Sequence, residues 1–196
     1  MIIKKYFKKL AKIIFYVLSS FIILIILIVK PLIKIRFSYQ SSERLGEIAS
    51  HMEVYLSEKK VSSNHQYFDI FILTDIISNK TYIELLKKKV LILPNFITYP
   101  IYHVIKTFEN KFKLLQSLVL RTKIEDNSFS ILRTEINLKP NNEFIKKGND
   151  FLNSINIPQD AKIICLIVRD NEYLKTKFPK KKWDYHNYRN CNIDNY

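Results

Sequence analysis

Short apolar runs rich in β-branched and aromatic residues alternate with stretches of helical periodicity through the middle of the chain. No other feature restricts the fold as much. Residues 32–39 place Ile33, Ile35 and Phe37 on one face, as a strand would. Leu45, Ile48, Ala49, Met52, Tyr55 and Leu56 recur at helical spacing, so a helix with one apolar face is expected over residues 46–59. Residues 68–74 (FDIFILT) read as a strand buried on both sides. A short helix over 81–89 carries Leu85 and Leu86, and a third strand over 90–93 stops at Pro94. Strand, helix, strand, helix, strand at this spacing implies a parallel sheet with right-handed crossovers, an α/β Rossmann-like half. Residues 100–111 continue as a helix, on which His103 lies between apolar neighbours and reads as a packing histidine.

Ahead of this unit, residues 13–29 form a run of 17 residues without charge, broken in polarity only by Ser19 and Ser20. That is the short end of the roughly 17–25 residues a helix needs to span a bilayer. Lys4, Lys5, Lys8, Lys9 and Lys12 precede it; Lys30 and Pro31 follow it in place of a small-residue cleavage site. An uncleaved membrane anchor is the expectation over residues 1–31, with a cleaved signal peptide as its rival. Basic residues flank both ends, so charge leaves the orientation open. Taken literally, the charge difference puts the N-terminus inside and the body outside. A helix lying in the headgroup plane, or entering one leaflet only, would leave the body on the cytoplasmic side as well.

Residues 121–138 are polar and irregular, and the unit over 32–138 is expected to hand over there to a second one over 139–196. Pro140 opens a helix with Phe144, Ile145, Gly148, Phe151, Leu152 and Ile155 on its apolar face. Residues 163–168 (IICLIV) then read as a strand buried on both faces. Ligands of open α/β sheets sit outside the carboxyl ends of strands, so Arg169 and Asp170 fall where a ligand-contacting pair is expected. Tyr173, Trp183, Tyr185, His186, Tyr188, Arg189 and Asn190 follow on an expected loop, with a basic stretch over 175–182. An ordinary ion pair with aromatics covering a sheet edge is the alternative.

Two glycines in 196 residues, with no Gly-rich phosphate loop, exclude the common nucleotide-binding fingerprints. The net charge of +14 suits an anionic partner such as a lipid headgroup or a nucleotide phosphate. A Lys-, Ile- and Asn-rich composition accounts for it equally. The lysines are scattered rather than gathered on one stripe, so no nucleic-acid partner is expected. Cys165 and Cys191 form neither a zinc pattern nor a disulfide framework. Cys165 reads as a small core residue.

The order Val168-Arg169-Asp170, Tyr173-Leu174, Tyr185-His186-Asn187-Tyr188-Arg189-Asn190, then Ile193 and Tyr196, resembles a family of bacterial glycosyltransferases associated with surface-polysaccharide biosynthesis. Residues 134–158 and Arg44-Leu45-Gly46 agree with its upstream segments. Position 47 is Glu where that pattern has His. The resemblance, over residues 37–196, implies a membrane-associated transferase carrying a sugar from a nucleotide-sugar donor to a polysaccharide or lipid-linked acceptor. No Asp-x-Asp occurs, so a metal-independent GT-B-like arrangement without a cofactor is implied.

In that chemistry Arg169 and Arg189 would contact phosphate, and His186 would serve as acid or base. Asp170 would orient one of them, and Tyr173 and Tyr188 would meet the sugar. Asn190 and Gly46 would complete the substrate site. Family members continue beyond residue 196, so these residues alone are expected to be inactive. The competing class is a non-enzymatic, membrane-anchored basic protein that binds anionic lipid or a protein partner.

Overall fold

The structure, a computed structural model, describes residues 2–62, 67–158, 160–164, 172–184, 187 and 190, with backbone alone for 2–12. The chain divides into two compact units, Met1–Asn142 and Glu143–Tyr196. The first is α/β with a three-stranded parallel sheet, consistent with the Rossmann-like expectation.

Helix α1 (Ile2–Val29) leads into β1 (Lys34–Gln40), α2 (Leu45–Val61), β2 (Tyr67–Leu73), α3 (Lys80–Lys87) and β3 (Leu91–Ile92). Helices α4 (Asn95–Phe108) and α5 (Lys113–Gln116) follow. The strand order is β1-β2-β3. Beyond β1 the chain returns once more: the Phe37 amide donates to the Leu118 carbonyl (2.7 Å), and the Leu120 amide donates to the Phe37 carbonyl (2.9 Å). This parallel bridge of Phe37 with Val119 lies on the edge of β1 away from β2. The chain thus passes outward through β2 and β3, then crosses back to the far side of β1.

Strand β2 explains the layering. Its alternate residues Ile70 and Ile72 pack with Ile23 and Ile26 of α1 and with Ile101 and Ile105 of α4. Phe71 and Leu73, pointing the other way, pack with Ile48, Met52 and Leu56 of α2 and with Ile83 and Leu86 of α3. A strand apolar on both faces needs helices on both faces, and here it has them. Helix α3 starts where Asn79 Oδ1 accepts the Tyr82 amide at 2.9 Å. Helix α4 begins at Asn95, five residues ahead of the expected start. Pro100 therefore falls inside it, lacking the amide that would bond Phe96. His103 is exposed on α4 rather than packed. Its ring meets Tyr16 and Tyr99 at 5.5 and 5.9 Å.

Helix α2 is buried over a wider arc than its apolar periodicity suggests. Glu53 accepts the Asn137 amide (2.8 Å) and its Nδ2 (2.9 Å), while Ser57 accepts from Asn137 Nδ2 and Thr134 (both 2.9 Å). The irregular stretch 121–138 thereby covers the outer side of α2. It is pinned by Asp126, which accepts the amides of Ser130 (2.9 Å) and Ile131 (2.7 Å) at a 3-10 turn over Ile131–Arg133. Desolvation is the largest single influence and raises the carboxyl, but these amides and the Ser130 and Ser128 hydroxyls together outweigh it and bring it to about 2.

A pKa below the ordinary 3.8 stabilises the folded turn above that value, and the contribution is lost as pH falls towards 2. We expect the Asp126 carboxyl carbon resonance to titrate near 2. Asp126→Asn is expected to loosen the Ser130 and Ile131 amides at neutral pH.

The second unit holds α6 (Asn142–Ser154) and α7 (Glu172–Lys177). Helix α6 forms where a helix is expected, with Ile145, Phe151 and Ile155 of its apolar face exposed. Two expectations need correction here. Ile163 and Ile164 are not in a strand; their backbone is irregular and they are 58% and 91% exposed. Apolar runs of this length do not by themselves distinguish a strand from other structure. The remainder of 163–168, Cys165 included, lies outside the described residues. Tyr173 and residues 175–177 stand on a helix instead of a loop, with Leu174 and Trp183 buried. Among the described residues no helix is long and apolar enough to cross a membrane.

Candidate functional site

The reversal of strand order around β1 creates a topological switch point between β1 and residues 118–122. Crevices of this kind, at the carboxyl ends of the strands, are where doubly wound sheets hold ligands. The side of β1 that faces α2 is polar throughout: Arg36, Ser38 and Gln40. Gln40 Nε2 donates to Ser38 Oγ at 2.7 Å and to Thr122 Oγ1 at 2.9 Å. Thr122 Oγ1 lies 2.9 Å from His51 Nδ1, on the second turn of α2. This chain of contacts ties the end of β1, the returning segment and α2 together at the crevice.

Helix α2 opens at the same edge. Its N-cap position is Arg44, in extended conformation, whose side chain makes no capping hydrogen bond. The first amides of the helix carry the positive end of its dipole. Arg44 instead pairs with Glu47 at 2.6 Å, both about one-third exposed. Gly46 is the second residue of the helix. A Cβ built there would meet nothing within 4 Å, so the surroundings are open and no packing requires glycine.

On the next two strand ends Ser42 Oγ sits 2.7 Å from Thr74 Oγ1 and 2.9 Å from the Ile76 carbonyl. Asn95 Nδ2 donates to the Leu73 carbonyl (2.6 Å) and to Asp75 (3.1 Å). Tyr39 lies close by, its ring stacked on Tyr102 and tilted against Tyr99, both at 5.8 Å. Burial raises the Tyr39 hydroxyl pKa, helped by Tyr99, Asp75 and Glu43. The edge therefore combines helix amides, a guanidinium, an imidazole, carboxylates and exposed aromatic rings. Such groups can hold a phosphate, stack on a ring and hydrogen-bond hydroxyls.

At the opposite, amino end of the sheet there is a cavity of about 200 Å³ lined by Arg36, Tyr55, Lys59, Tyr67 and Asp69, among others. Two of its charges pair with one another. Arg36 grips buried Asp69 with two bonds of 2.7 and 3.0 Å, and the Tyr55 hydroxyl donates to Asp69 at 2.7 Å. Arg36 also lies 3.8 Å over the Tyr67 ring. We read this cavity as the end of a structural cluster, because Arg36 and the Tyr55 hydroxyl are both committed to buried Asp69; Glu58 and Lys59, which donates to the Tyr55 hydroxyl at 3.2 Å, also line it.

Of the residues predicted from sequence, Gly46 lies at the carboxyl-edge crevice in the first unit. Tyr173 (α7) and Asn190 belong to the second. Asn190 donates to Asn187 through its amide (3.0 Å) and Nδ2 (3.3 Å). Arg169, Asp170, His186, Tyr188 and Arg189 lie outside the described residues. Gln40, His51, Thr122, Asp75, Asn95 and Tyr39 were not anticipated. The signal that could have marked them is the polar alternation Arg36-Ser38-Gln40 inside an otherwise apolar strand. Comparison with protein-family models, with curated proteins and with solved structures finds no match.

Proposed function

We propose that this chain contributes the Rossmann-like half of a membrane-associated glycosyltransferase. It would move a sugar from a nucleotide-sugar donor to a surface-polysaccharide or lipid-linked acceptor. The observation that supports the reading is the topological switch point between β1 and residues 118–122, with the start of α2 and His51 beside it. The first amides of α2, with Arg44, would take an anionic group, and Tyr39 and Tyr99 would take a ring. Arg169, Asp170, His186, Tyr173, Tyr188, Arg189 and Asn190 enter through the resemblance alone. They would supply phosphate contacts and acid–base chemistry. The absence of Asp-x-Asp favours a metal-independent route.

Calorimetric titration with uridine diphosphate tests this reading. Binding is expected, and Glu47→His should tighten it about fivefold. That figure corresponds to removing one negative charge worth roughly 1 kcal/mol near the phosphate. Absence of binding in both proteins would remove the transferase reading. It would favour the non-enzymatic alternative, a basic membrane-binding protein, for which the exposed apolar face of α1 is the specific support.

A further inference from the structure

Helix α1 is used by the fold along one stripe only. Ser19, Ile23 and Ile26 are buried, and the helix packs on α4 along this side. Ten large apolar residues between Ile13 and Ile28 remain 38–67% exposed, with Val17, Phe21, Leu24 and Ile28 at the centre of the open side. Soluble monomers seldom leave a contiguous apolar patch above about 300–600 Å². Here ten such side chains stand open on one helix. Ser19 and Ser20 return their hydroxyls to the Phe15 and Tyr16 carbonyls, at 2.7 and 2.9 Å, so neither demands water.

The helical register supplies the second observation. At 3.6 residues per turn, positions 4, 5, 8, 9 and 12, all lysine, fall within a sector of about 140°. Positions 19, 23 and 26 fall inside that same sector. Over its 28 residues, about 42 Å, α1 thus has two sides of constant character. One side carries lysine positions in the first three turns and the protein body in the later ones. The other side is apolar from end to end.

We propose that α1 lies in the plane of a membrane, embedded in one leaflet by its apolar side, with the lysine positions and the protein body facing anionic headgroups. A spanning helix would need to be apolar on all sides, whereas one side of α1 is already committed to α4. A second copy of the chain is the other conceivable cover. It would bring two bodies of net charge +14 together, whereas an anionic surface is complementary to that charge. The inference rests on the packing of α1 and is independent of the transferase reading.

The test uses the full chain with Cys165 and Cys191 replaced by serine, and phosphatidylcholine vesicles with or without phosphatidylglycerol. Spin labels are placed in turn at positions 4, 12, 17, 21, 24 and 28. Binding should require phosphatidylglycerol, and oxygen accessibility should place 17, 21, 24 and 28 at one shallow depth. Replacing the five lysines by glutamine should weaken binding at least about a hundredfold. Leu24→Ser together with Phe21→Ser should weaken it without altering the circular dichroism of the body. A depth that changes steadily along the helix would mean spanning and overturn the proposal. So would equal binding to neutral vesicles, no binding at all, or labels at 21 and 24 coupling between two chains without lipid.

Discussion

Arg36→Ala will lower the unfolding free energy of the first unit by about 3–5 kcal/mol, because it strands a buried carboxylate. The Asp69 side chain is 2% exposed and faces Arg36 directly across the β1–β2 register. Once the guanidinium is gone, the Tyr55 hydroxyl is the remaining hydrogen bond shown for it, and one neutral donor does not replace a bidentate cation. Urea unfolding followed by far-ultraviolet circular dichroism measures the loss. A buried ion pair adds little net stability over apolar residues of similar volume. An Arg36→Met/Asp69→Leu double variant should therefore recover most of the loss. If Arg36→Ala alone changed stability by less than about 1 kcal/mol, the pair would be a surface contact of the ordinary kind.

The second large effect is in the core. Phe71→Ala should cost about 3–5 kcal/mol. Phe71 is fully buried in the central strand, 4.9 Å from the Tyr55 ring, and packs with residues of α2 and α3. Its removal leaves a void where two helices and the sheet meet. Phe68, three residues earlier on the same strand, is 54% exposed, and Phe68→Ala should change stability by roughly 0.5 kcal/mol or less. Equal losses at the two positions would mean that the strand is not buried as described.

These two sites differ in how well the sequence announces them. Residues 68–74 read as a doubly buried strand because no solvent-facing position interrupts Ile70–Leu73, and β2 is that strand. The apolar repeat of α2 likewise predicted a helix, because Ile48, Met52, Tyr55 and Leu56 meet the sheet. The polar seam of β1 was not legible. Its partners lie 33 residues away at Asp69 and 82 away at Thr122, and nothing local shows that Arg36, Ser38 and Gln40 point inward.

Periodicity also reports amphipathicity and not burial. The apolar side of α6 has the same spacing as that of α2 and remains exposed, and Ile163 and Ile164 look like strand residues without being so. The return of the chain at Val119 is a single bridge, too short for any pattern to mark. Yet that bridge creates the switch point and so the candidate site. Gly46 was reached through its place at the head of α2. His51, one turn further along, was passed over because it sits within the apolar repeat.

The most direct test is a crystal structure of the chain soaked with uridine diphosphate. The account predicts the diphosphate over the Leu45, Gly46 and Glu47 amides, in the crevice bounded by Gln40, His51 and Thr122. Density for it in the amino-end cavity beside Arg36 and Lys59, with the carboxyl edge empty, would contradict the account.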